Sequence, residues 1–135
     1  MANKRSAAEW LTKAYHDLSS AQVLYGAHHY TDTIANDLQQ ALEKCLKSFL
    51  AYENKQIKRT HNLIDVYELV TNHIQLDEFQ VRILGIATTY YTQDRYPSPI
   101  ELPPRDQIKE VLEFAEKLFA NVCQILDIDE QEIMK

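Results

Sequence analysis

Apolar residues recur along this chain in steps of three and four, and those steps mark out five helices. Ala7, Leu11, Ala14, Leu18, Ala21 and Tyr25 predict a first helix from Ser6 to Tyr25, with Trp10 and Leu24 widening its stripe. Gly26 follows and is expected to end it in the left-handed conformation. A second helix is predicted from Asp32 to Tyr52, with Ile34, Leu38, Ala41, Leu42, Cys45, Leu46 and Phe49 on its apolar face and Gln39, Glu43, Lys44 and Lys47 opposite. The third is short, from Leu63 to Asn72, turning Leu63, Val66, Tyr67 and Val70 inward and capped by Asn62 with Asp65 three residues on. The fourth runs from Asp77 to Gln93 on Phe79, Ile83, Ile86, Ala87 and Tyr90; Gly85 inside it is expected to mark close packing or a kink. The stretch Arg95 to Pro104 holds all four prolines and cannot be helical throughout. A fifth helix then starts near Pro104 and ends near Leu126, on Ile108, Val111, Leu112, Ala115, Leu118, Phe119 and Val122.

These elements predict an all-α fold, an antiparallel up-down bundle of four main helices plus one short helix, in one domain over 1–126. The acidic tail 127–135 is expected to fray. With 135 residues, 45% hydrophobic and 25% charged, the chain can build an ordinary core without a disulfide or a structural metal. Cys45 and Cys123 lie in apolar helical patterns without a CxxC or Cys/His ladder, so they are read as buried thiols. No repeat or low-complexity segment interrupts the pattern.

Charge and sorting signals narrow the function classes. The opening MANKRSAAEW lacks the apolar run of a signal peptide, and nowhere do 18 apolar residues stand together, so the expected setting is cytoplasmic, away from a membrane. A formal net charge of −6 excludes broad, non-specific coating of nucleic acid, because that binding neutralises phosphates. Any polyanion site must be local. His28, His29 and His73 fall near Asp77, Asp127 and Asp129 if the ends are grouped as above, but adjacent histidines project about 100° apart on a helix and match no ligand spacing, so no metal site is expected. GxSxG, P-loop and HExxH motifs are absent.

Short connections between successive helices would bring two distant polar segments together at the end where the first helix starts: 55–61, before the third helix, and 94–97, after the fourth. That end would collect Lys4, Arg5, Lys55, Lys58, Arg59, Arg95 and Arg105 against Glu53, Asp94, Glu101 and Asp106, a local balance of +3. Arg59, Thr60 and His61 lead into the N-terminus of the third helix, where anions bind well, and Tyr91 and Tyr96 offer ring faces for a base. The candidate site is therefore Lys58, Arg59, Thr60, His61, Tyr91, Arg95 and Tyr96, suited to a nucleotide or an RNA end. The competing reading is a solvated basic surface.

The succession LYGAHHYTDTIANDLQQALEKCLKSFL, KRTHNLIDVYELV and TTYYTQDRYPSP, in this order and spacing, resembles the HEPN domain, the "higher eukaryotes and prokaryotes nucleotide-binding" family of helical bundles. Thr60, His61 and Leu63 match the THxL that opens the third helix in one branch, and Arg95, Tyr96 and Pro97 its RYP segment. The resemblance implies a homodimer, often paired with a minimal nucleotidyltransferase in a toxin-antitoxin-like system. Some relatives are metal-independent ribonucleases that use an Arg, four to six spacer residues and a His. Here the positions where that His would fall are Ile100 to Leu102 from Arg95, Ala87 to Thr89 from Arg82 and Ile64 to Val66 from Arg59, and Arg5 and Arg105 fail likewise. The ribonuclease motif is thus absent, leaving His61 and Arg95 as the candidate unorthodox acid/base and phosphate-clamp pair. Three functions stay open: a nucleotide- or RNA-phosphate-binding homodimer with a nucleotidyltransferase partner, a ribonuclease toxin using His61 and Arg95, and a structural dimerisation or adaptor protein. Trp10, Val23, Tyr30 and Leu50, off the main stripes, are the apolar surplus that argues for a dimer.

Overall fold

The computed structural model describes residues 2–95, with side chains through residue 91, and 102–135. Within them the chain forms six helices and no strand: α1 (Lys4–Gly26), α2 (Thr31–Tyr52), α3 (Leu63–Glu68), α4 (Glu78–Arg95), α5 (Arg105–Ile125) and α6 (Glu130–Ile133). The predicted stripes of α2 and α5 are buried as expected, that of α1 is buried from Ala7 to Ala21 while Trp10, Leu24 and Tyr25 are half-buried, and Cys45 and Cys123 are buried free thiols. Burial pushes the Cys123 thiol up to about 11 and that of Cys45 further.

Local chemistry sets the helix ends. Asn3 caps α1 by accepting from the Ser6 amide, and Asn62 caps α3 by accepting from Ile64 and Asp65. Asp77 and Gln80 exchange side-chain-to-amide bonds in a capping box before α4. Gly26 does not terminate α1: it stays helical, and the left-handed residue is His28, at φ 55°. Asn54 (φ 57°) and Asp127 (φ 55°) play the same part after α2 and α5. In each case the left-handed residue's amide and the next one bond back in the paired pattern of a Schellman motif, His28 to Tyr25 and His29 to Leu24 at the end of α1. α3 stops at Glu68 rather than Asn72, because Leu69 and Val70 bond three residues back and tighten the chain out of the α form. A Cβ at Gly85 would meet nothing within 4 Å, so this glycine marks no close approach. Phe79, expected inside, is exposed, while Leu84 is buried in its place.

The four long helices alternate up, down, up, down, but the route between them differs from the one expected. The Asn3 amide bonds the Tyr52 carbonyl, placing the start of α1 beside the end of α2 at what is here called the base. The chain does not then turn straight into α3. From Lys55, bonded to Leu50 at the base, it climbs back along α2 until the Gln39 amide nitrogen reaches the His61 carbonyl at 3.1 Å. Gln39 lies twelve residues before Ala51, a rise of about 18 Å; the seven residues 55–61, extended, span about 23 Å, enough to cover it. α3 therefore descends, and His73 returns to stack on Phe49 at the base. α4 rises, meeting Leu63 through Thr88 and the start of α5 through Tyr90 and Gln107. α5 descends from Arg105, bonded to the Tyr25 carbonyl at the top, to Asp127, which pairs with Lys4 at the base.

α2 is consequently the central helix, covered by α1 and α5 on one side and by the climbing segment, α3 and α4 on the other. Its supposed solvent face is not one: Gln39, Glu43, Lys47 and Ser48 are buried, and of the four polar residues expected outside only Lys44 reaches the surface region, where it pairs with Asp17. Leu50, counted as surplus surface, is core. The tail expected to fray instead turns into α6, capped by Asp129, with Ile133 packed into the core cluster. Among the described residues no helix is long and apolar enough to cross a membrane.

Candidate functional site

Buried polar groups must find partners, and on α2 they find one another. Gln39, Glu43 and Lys47 stand four residues apart, on one line of the helix surface. Gln39 donates to Glu43 Oε1 at 2.9 Å, Lys47 Nζ donates to Glu43 Oε2 at 2.9 Å, and Gln40 donates to Gln39 Oε1 at 2.8 Å. The ladder opens outward through His61, whose Nδ1 lies 3.0 Å from Glu43 Oε1. Burial by itself raises the Glu43 carboxyl, but the bonds from Lys47, Gln39 and His61 together outweigh it and hold the group below the ordinary carboxylate range. Glu43 is thus ionised inside the bundle.

His61 is fixed from three directions. Glu43 takes its edge, Gln39 takes its backbone carbonyl, and Tyr91 on α4 covers one face, the rings stacked at 4.1 Å and 15°. Its side chain is still 41% exposed, against 7% for Glu43. Nε2 has no partner among the described residues.

The sequence-predicted residues divide sharply. Lys58 and Arg59 are exposed just before His61, and Thr60 Oγ1 accepts from the Asn62 amide. Arg95 is the last residue of α4, one turn beyond Tyr91, so its backbone lies at the His61 end; Tyr96 falls outside the described residues. Lys4, Arg5, Lys55 and Glu53 sit at the opposite end, and Arg105 is held at the end of α1, its guanidinium 3.8 Å from the Tyr25 ring. The expected cluster of seven cations therefore does not assemble, because the climbing segment carries 58–61 away from the base. The N-terminus of α3 is not open to an anion either: Asn62 occupies the Ile64 and Asp65 amides and Thr88 Oγ1 that of Leu63. Tyr91 already gives one ring face to His61. His73 bonds Glu53 at the base while His28 and His29 follow α1 at the top, so those histidines do not meet.

Sequence reasoning missed Glu43, Gln39 and Lys47. The available signal was the i, i+4, i+8 spacing of three polar residues, which by itself fits a solvated face as well as a buried ladder.

Among the described residues the fold is that of an all-helical bundle, with four long helices. Residues 7–126 match the HEPN domain model, and the chain belongs to the HEPN domain family. TT1696 from Thermus thermophilus is similar over 88% of this chain and 97% of its own, at 27% identity and a TM-score of 0.73. ST0689, described as an archaeal HEPN homologue, shares the fold over 90% of this chain and 98% of its own, at 19% identity and a TM-score of 0.66. No curated protein matches the chain.

Proposed function

We propose that this HEPN protein is a homodimeric module that binds a nucleotide or an RNA phosphate, and that it acts in the cytoplasm with a minimal nucleotidyltransferase as one half of a toxin-antitoxin-like pair. One observation carries the binding reading. The stacking of His61 on Tyr91 supports it: the ring at the head of the segment that carries Lys58 and Arg59 lies against α4 one turn before the helix ends at Arg95. Lys58, Arg59, His61 and Arg95 together would have the chemistry to hold a phosphate by charge-assisted bonds. Exposed Val23, Tyr30 and Phe79 supply apolar area for a second subunit. Titration with ATP and with a short RNA tests the reading: Arg95→Ala and His61→Ala should each weaken binding about tenfold or more. Equal weak binding by wild type and Arg95→Ala would remove it, and a monomer in light scattering would remove the dimer.

The Glu43 contact favours a second reading, a metal-independent ribonuclease using His61 and Arg95. Nε2 would take the proton of a ribose 2′-hydroxyl, whose oxygen attacks phosphorus; the bond to the 5′-oxygen breaks and that oxygen takes a proton from water. Incubation with total RNA decides: cleavage lost in His61→Ala supports it, and none above a mock preparation rejects it.

A further inference from the structure

We infer that Glu43 is a positioning residue: it fixes His61 in the tautomer whose proton sits on Nδ1, leaving Nε2 as the acceptor presented to a ligand. The inference deepens the binding reading above and rests on it for its functional meaning. An ionised carboxylate only accepts, and both Glu43 oxygens are engaged, Oε2 by Lys47 and Oε1 by Gln39 and His61. The proton between Glu43 and His61 must then belong to Nδ1, and in the neutral ring Nε2 carries the lone pair.

A merely structural role accounts poorly for this arrangement. A buried ion pair is weak evidence of stabilisation, since an apolar pair of like volume serves as well. A half-exposed imidazole ordinarily keeps rotamer freedom, yet this one is held at its edge, face and backbone. The network spends three interior side chains on the orientation of one ring that leaves the interior. Such an oriented ring accepts a hydrogen bond from a ligand hydroxyl when neutral; when protonated it donates Nε2–H to a phosphate, with Glu43 balancing the charge.

The test uses long-range proton–nitrogen NMR on the full-length, nitrogen-15-labelled protein at a pH where the ring is neutral, with His61 assigned by its absence in His61→Ala. Wild type should show His61 predominantly as the Nδ1–H tautomer. Glu43→Gln leaves a single acceptor oxygen for three donors; Lys47 takes it, the amide NH2 turns toward the ring, and the population should move toward Nε2–H. A wild-type ring that is mixed or mainly Nε2–H overturns the inference even if the variant fails to fold, and so does a Glu43→Gln ring with the wild-type ratio. Binding of a short RNA gives the second readout. Glu43→Gln should lose about tenfold in affinity, as removal of a residue that orients a ligand-binding histidine does. The double variant should bind no more weakly than His61→Ala alone, whereas additive losses would overturn the coupling. If wild type binds neither RNA nor ATP, the binding reading falls, and the tautomer measurement still judges Glu43.

Discussion

Two histidine–glutamate–lysine groups sit at different heights along α2 and differ in how the histidine and the carboxylate share burial. At the base, His73 bonds Glu53, stacks on Phe49 at 4.9 Å and meets the edge of Tyr52, while Lys55 pairs with Glu53 at 2.6 Å. There the ring and the carboxylate have similar access to solvent, 18% and 19%. Halfway along α2 the carboxylate is interior and the ring emerges. The same three residue types thus make a clamp in one place and a presented imidazole in the other. What differs is which partner the fold encloses, because Glu43 projects from the middle of the central helix and Glu53 follows its last turn.

The largest expected effect separates the two lysines. Lys47→Ala leaves an ionised carboxylate unpaired in the interior and should cost about 3–5 kcal/mol in denaturant unfolding. Lys55→Ala removes a solvent-screened pair and should cost under about 1 kcal/mol; equal losses would erase the distinction between interior and surface. Next come the histidines. His73→Ala strips a ring from Phe49 and a bond from Glu53, and should destabilise by about 1–3 kcal/mol with RNA binding unchanged. His61→Ala should do the reverse, losing binding while costing about 1 kcal/mol or less. The pH dependence gives a smaller contrast. Lys55 above all, with Asn72 and His73, holds Glu53 at about 2, below its ordinary 4.5. A depressed carboxyl contributes stability that is complete above its unfolded value and fades as pH falls from about 4.5 toward 2. Glu53→Gln should therefore flatten the acid limb of a thermal-melting series over that range. The smallest effect is a control at neither histidine: Gly85→Ala, with open space at its Cβ, should gain about 1 kcal/mol and leave binding alone.

The helices were legible because α1, α2 and α5 each present a single three-four stripe, and Asn62 and Pro104 stand where a cap and a first turn belong. Chain direction was not. The expectation of short connections treated 53–62 as a turn, whereas its ten residues are long enough to climb half of α2, a choice made by tertiary packing. His61 and the last turns of α4 were expected together and are near each other, but about halfway up α2 rather than at the base. The polar face of α2 was misread for a related reason. Periodicity finds the most apolar side of a helix and is silent about whether the other side is also covered, so Gln39, Glu43 and Lys47 read as solvated. Arg59 and Arg95 were identifiable as cations, yet which of the seven would share a neighbourhood depended on the climb.

The strap from Lys55 to His61 has a further consequence. It contains no helix, is bonded to α2 at its foot through Leu50 and at its head through Gln39, and carries the imidazole at its far end. Peeling it away would take His61 off Tyr91 and Glu43 without unwinding a single helical turn. Occupancy of the His61–Tyr91–Glu43 arrangement would then follow a local opening equilibrium separate from global denaturation. A population with full helical content and an intact melting point could then lack the proposed site, and amide exchange along the strap is the measurement that would count it.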